Sequence, residues 1–65
     1  MPDFIARFIR TDEQPDEEYF YQTAADAQAH MNLFNGDDSG LYRRIEVVQY
    51  STDTVIASIE FKGVQ

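Results

Sequence analysis

Two stretches of this 65-residue chain place oxygen-bearing side chains at spacings that can do chemistry. The first is Asn35 to Glu46, NGDDSGLYRRIE. Asn35, Asp37 and Ser39 stand first, third and fifth in a frame of twelve, Gly40 stands sixth and Glu46 twelfth. Calcium takes about six to eight oxygens, so side-chain oxygens at alternate positions of one short stretch make a candidate cation site. The second is Asp12 to Glu18, DEQPDEE, where Asp12, Glu13, Asp16, Glu17 and Glu18 put five carboxylates into seven residues. Ionised carboxylates accept hydrogen bonds from guanidinium and ammonium groups, so a run of them suits a basic surface.

Neither stretch supplies a nucleophile with a base. The chain has no cysteine and one histidine, His30, and Ser39, Ser51 and Ser58 have no triad partner in their sequence context. Paired carboxylates in a solvated loop do not have their pKa values driven apart as acid–base work requires. There is no glycine-rich phosphate loop and no zinc-ligand cluster. These features predict a protein that is not an enzyme and carries no cofactor.

Over residues 35–46, with Phe34 in the place where an entering helix would end, the frame resembles an EF-hand calcium loop. That resemblance implies a calcium site at Asn35–Glu46. The chain departs from the pattern at three points: an asparagine stands first, Arg43 and Arg44 would repel the ion, and the residues after Ile45 read as strand rather than as an exiting helix. If Leu41 to Tyr50 is extended, Glu46 lies about 20 Å from Gly40, at about 3.3 Å per residue, and cannot return to close a cage. The expectation is therefore no metal, with Asn35–Gly40 acting as a helix cap and an Asx-type turn. Calcium binding at 35–46 is the alternative.

The elements that must carry these groups read as follows. Asp3 to Thr11 is rich in β-formers, with Phe4, Ala6 and Phe8 on one face and Ile5, Arg7 and Ile9 on the other. DEQPDEE reads as an exposed loop and Tyr19 to Gln22 as a short second strand, making a hairpin with an acidic connection. Thr23 is a candidate helix N-cap, with Asp26 in the first turn. Ala24, Ala27, Met31 and Phe34 recur at helical spacing, and Asn35–Gly36 end the helix. Leu41 to Tyr50 reads as a third strand, with Leu41, Arg43, Ile45, Val47 and Gln49 on one face and Tyr42, Arg44, Glu46, Val48 and Tyr50 on the other. Thr54 to Lys62 reads as a fourth, with Val55, Ala57, Ile59 and Phe61 inward. The result is a single domain over 1–65 of the α+β class, a ββαββ chain whose four-stranded antiparallel sheet carries one helix on one face.

Composition narrows the function. Twelve acids against five bases give a net charge of −7, and without the five carboxylates of DEQPDEE it would be −7 + 5 = −2. Phosphate contacts need clustered Lys and Arg, so direct binding to nucleic acid or an anionic membrane is disfavoured, and a basic protein surface is the expected partner. Nine aromatic residues argue for a packed core. A chain this short buries only about 60% of its unfolded surface. With no cysteine and no apolar run in MPDFIARFIR, a cytoplasmic protein is expected.

The leading expectation is a non-enzymatic acidic binder. Its contact residues are Asp12, Glu13, Asp16, Glu17, Glu18, Tyr19 and Tyr21, with Asp37 and Asp38 as a second patch and Tyr42 and Tyr50 as further anchors. Same-face residues of an extended chain stand about 6.6 Å apart, comparable to phosphates along one strand, so the partner is expected to be a nucleic-acid-binding protein. In size, charge and lack of catalytic residues the chain resembles the small acidic inhibitors of phages and mobile elements, such as anti-CRISPR and anti-restriction proteins. The alternative is a structural or regulatory domain that works through its sheet, by homodimerisation or by adding a strand to a partner. The plainest reading of the acidic run is a loop that keeps the domain soluble.

Overall fold

In a computed structural model that describes residues 2–61, the order is β1 (Phe4–Arg10), β2 (Glu17–Tyr21), α1 (Ala24–Asn32), β3 (Tyr42–Gln49) and β4 (Thr54–Glu60). This is the expected ββαββ chain. The strands form one antiparallel sheet in the order β2-β1-β3-β4, so the two hairpins meet along β1 and β3. Those central strands supply every fully buried residue of the sheet: Ile5, Ala6, Phe8, Ile45, Val47 and Val48. The expected fourth strand reached Lys62, which lies outside the described residues.

The helix forms where its cap predicts. Thr23 is extended (φ −127°, ψ 152°), and its Oγ1 accepts from Asp26 N–H at 3.1 Å. Ala27 and Met31 are buried against Ala6, Phe8, Ile45 and Val47. Regular helix stops at Asn32, two residues short of Phe34. The amides of Leu33, Phe34 and Asn35 turn to the carbonyls of His30, Met31 and Asn32 at 3.0–3.2 Å, tightening the last turn to an i→i−3 pattern. Phe34 thus packs on Phe8, with ring centroids 5.0 Å apart and planes at 81°. Gly36, at φ +83°, takes the left-handed conformation that ends this turn.

Phe8 is the centre of the core. Besides Phe34, it meets Tyr19 at 5.5 Å and Tyr42 at 5.2 Å, both edge-on, and His30 at 4.8 Å. Edge-to-face contacts place the positive rim of one ring on the negative face of the next, which locks orientations as well as burying area.

Ile45, Val47, Ala57, Ile59 and Phe61 face the core as expected, but two bulges reverse the facing at one end of β3 and of β4. Ile9 pairs with Arg44 but Arg10 pairs with Tyr42, so Arg43 is an extra residue in the ladder. Tyr42 therefore joins the core side and Leu41 is left 45% exposed, the reverse of the alternation read from the sequence. In β4, Ala57 pairs with Val47 but Val55 pairs with Val48, so Ile56 is the extra residue. Val55 accordingly leaves the core side, where Ala57, Ile59 and Phe61 remain, and is 46% exposed.

The helix-free face is built in rows that cross the strands. Phe20, Ile5, Val48 and Val55 form an apolar row, and Phe20 meets Tyr50 at 6.3 Å. A charged row lies beside it. Arg7 binds Glu18 at 2.9 Å and Glu46 at 3.3 Å, and Arg44 lies 3.1 Å from Glu46 and 3.2 Å from Glu60. The Arg44 Nε contact to Glu46 lacks hydrogen-bond alignment and acts through charge alone. Among the described residues no helix is long and apolar enough to cross a membrane.

Candidate partner-binding surface at the acidic end

The acidic residues are positioned by the turn out of β1. Arg10, the last residue of that strand, reaches forward to Asp12, with Nε donating to Oδ1 at 2.8 Å. It also reaches across the hairpin to Glu17 Oε2 at 2.6 Å. Asp12 Oδ1 accepts Gln14 N–H at 3.2 Å, an Asx-type turn that carries Glu13 through φ +65°. Asp12, Glu13 and Asp16 lie in the exposed loop as expected. Glu17 and Glu18, expected in that loop, instead open β2, because pairing with Phe8 and Arg7 extends the hairpin by two residues. Strand alternation then sends them to opposite faces. Glu17 stays at the acidic end, and Glu18 joins the charged row with Arg7.

Glu17 is the hub of this end. Its Oε1 accepts from Tyr19 Oη at 2.9 Å and from Tyr42 Oη at 3.2 Å, while Oε2 receives Arg10. The Arg10 guanidinium also lies 6.0 Å from the centre of the Tyr42 ring. Arg10 beside Asp12 holds that carboxyl down at about 2, and the same guanidinium holds Glu17 below the usual carboxylate range. The Glu17 hydrogen bond pushes the Tyr19 hydroxyl up, and burial together with Glu17 pushes up that of Tyr42. At neutral pH both carboxylates are therefore ionised and both phenols keep their protons.

The second acidic segment abuts the first. Thr11 N–H donates to Leu41 C=O at 3.0 Å, and Thr11 Oγ1 donates to Gly40 C=O at 2.6 Å. This joint fastens the entry of the β1–β2 loop to the segment entering β3. In that segment Asp37 Oδ2 accepts from Ser39 N–H at 3.3 Å and from Ser39 Oγ at 2.6 Å, while Ser39 Oγ accepts from Leu41 N–H. Asp12, Glu13, Asp16 and Glu17 therefore share one end of the sheet with Asp37 and Asp38, about twenty residues further along the chain. Among the described residues, Glu13, Asp16, Asp37 and Asp38 make no ion pair.

The expected contact residues divide accordingly. Six carboxylates and Tyr19 gather at this end, and Glu18 does not. Tyr21 is also elsewhere: it packs on the core near the other end of β2, opposite Phe4, with its hydroxyl 2.7 Å from His30 Nδ1. His30 is half-buried between Tyr21, Tyr19 and Phe8. The organising residue that composition concealed is Arg10. Its signal was present, since a β1–β2 hairpin that pairs Arg7 with Glu18 and Phe8 with Glu17 leaves Arg10, two residues beyond Phe8 on the same face, within diagonal reach of Glu17.

The twelve-residue frame is not gathered around a point. Asp37 receives its two hydrogen bonds from Ser39, whereas Glu46 lies along β3 on the opposite face, between Arg7 and Arg44. Among the described residues no three acidic, histidine or cysteine side chains converge as a metal-ligand group.

The acidic end offers carboxylate acceptors in three conditions: fixed and neutralised by Arg10 (Asp12 and Glu17), locked in a local turn (Asp37), and free of ion pairs in solvent (Glu13, Asp16 and Asp38). Comparison with protein-family models, curated proteins and solved structures gives no match to this chain.

Proposed function

We propose that this chain is a non-enzymatic binding module whose acidic end docks on a basic protein surface of the kind that holds nucleic-acid phosphates. It would act as an inhibitor of the anti-CRISPR or anti-restriction type. One observation carries the reading: the Thr11 joint to Gly40 and Leu41 brings two separate acidic segments to the same end of the sheet. Arg10 and Glu17 give that end a rigid base, so less conformational freedom is lost on docking than a floppy loop would lose. Glu13, Asp16 and Asp38 are the carboxylates left to pair with Arg or Lys of the partner.

The test is capture of nucleic-acid-binding proteins from a cell lysate on the immobilised chain, eluted by salt and by duplex DNA. A phosphate-mimicking contact is displaced by both. The triple variant Glu13→Gln, Asp16→Asn, Asp38→Asn removes three charges while leaving every ion pair intact, and should release the DNA-displaceable partners. Retention of those partners by the variant refutes the reading.

A second reading rests on the helix-free face, where Phe20, Tyr50, Val55 and Ile56 are exposed around the apolar row. A sheet-mediated homodimer or partner contact there would survive salt and fail when Val55 or Tyr50 becomes glutamate.

A further inference from the structure

The two asparagines near the end of the helix, Asn32 and Asn35, stand in very different settings. Asn32 is the last residue of α1 and is followed by a branched residue, Leu33, whose N–H is held by the carbonyls of Ala29 and His30. Asn35 and Gly36 lie beyond the helix in the closing turn, and both are exposed. Asn35 N–H is bonded to Asn32 C=O and Asp37 N–H to Phe34 C=O. Among the described residues, neither the Asn35 side-chain amide nor Gly36 N–H makes a hydrogen bond. A Cβ built on Gly36 would meet nothing within 4 Å, so the space around the Asn35–Gly36 peptide bond is open.

From this we infer that Asn35 is a site of spontaneous deamidation in the folded protein. The reaction needs no enzyme and only water as co-reactant. The Gly36 backbone nitrogen loses its proton and attacks Cγ of Asn35, forming the C–N bond of a five-membered imide, and the side-chain nitrogen leaves as ammonia. Water then adds to one of the two imide carbonyls and breaks a C–N bond, leaving aspartate or isoaspartate at position 35. Glycine permits the attack because no side chain crowds its nitrogen. The turn permits it because no regular helix or strand holds the Asn35 backbone against the rotation required. Leu33, by contrast, shields Asn32 both by its side chain and by its bonded amide.

The product changes the acidic end. One new carboxylate beside Asp37 and Asp38 takes the net charge from −7 to −7 − 1 = −8. The isoaspartate form also routes the backbone through an extra methylene inside the turn closed by Asp37 N–H and Phe34 C=O.

The experiment incubates the intact protein in mildly alkaline buffer, native and in urea. Isoelectric focusing reads charge, and tandem mass spectrometry with isoaspartyl methyltransferase labelling assigns the position. The native protein should lose the Asn35 amide to an acidic product, isoaspartate included, while Asn32 keeps its own. Asn35→Gln, which fits because position 35 has an ordinary negative φ, should abolish the acidic form. If the native protein keeps the Asn35 amide while the urea-unfolded chain loses it, the turn is closed to the reaction and the inference is overturned. Equal loss at Asn32 and Asn35 in the native protein overturns it as well.

Discussion

Replacing Glu46 by glutamine removes the central negative charge of the helix-free face while keeping the side chain's length and one acceptor oxygen. Glu46 is 8% exposed, and its carboxylate lies 3.3 Å from Arg7 and 3.1 Å from Arg44. Taking one partner out of a fully buried ion pair costs about 3–5 kcal/mol. Here the two arginine side chains are 28% and 36% exposed, and each keeps a second carboxylate, Glu18 or Glu60. Solvent screening and those remaining partners bring the expected loss to about 2 kcal/mol. Glu60→Gln provides the contrast. Its side chain is 72% exposed at the end of the same row. Losing it should cost no more than about 0.5 kcal/mol. A chain of this length holds roughly 3–10 kcal/mol in all. With a urea slope near 1 kcal/mol/M, Glu46→Gln should lower the unfolding midpoint by about 2 M. Circular dichroism through a urea titration reads both variants. Equal midpoint shifts for Glu46→Gln and Glu60→Gln would refute the reasoning, because the buried position of Glu46 would then carry no energy.

The bulge at Arg43 makes its own prediction. Leu41→Glu should change stability by less than about 0.5 kcal/mol, whereas Tyr42→Ala should cost about 3 kcal/mol or more through the cavity beside Phe8; the opposite ranking in thermal melts would restore the simple alternation. Stability should also fall with acid. Asp12, at about 2 against an ordinary 3.8, and Glu17 and Asp3, both lowered, are all depressed in the folded state. Their contribution is present above the unfolded values and is lost as pH falls from about 5 towards about 2. Urea midpoints measured across that range should drop, and Asp12→Asn should flatten part of the slope; a flat wild-type profile contradicts the Arg10 geometry.

Periodicity and capping made much of this fold legible. The Thr23 cap, the Ala27–Met31 stripe and the Phe4–Ala6–Phe8 face each report local physics, and each sits as read. The facing of Tyr42 and Val55 was not legible, because a bulge inserts one residue without a local signature and reverses every side chain beyond it. The length of β2 was hidden for a related reason. Glu17 and Glu18 are poor strand formers in isolation, and they are drawn into the ladder by Arg10 and Arg7 across the hairpin. The acidic end itself rests on hydrogen bonds between Thr11 and residues 40–41, a contact between segments distant in sequence that no window of the chain contains.

The extra residue at Ile56 bears on how this protein keeps company with others. β4 is an outer strand carrying a single charge, Glu60, and an outer strand of that kind ordinarily invites a neighbour to continue the sheet. The kink interrupts the regular rhythm of amides and carbonyls partway along, so an incoming strand would fall out of step before it had matched the full length. The opposite border, β2, is guarded by Glu17 and Glu18. Neither border therefore offers an incoming strand a full-length, regular and uncharged edge to match.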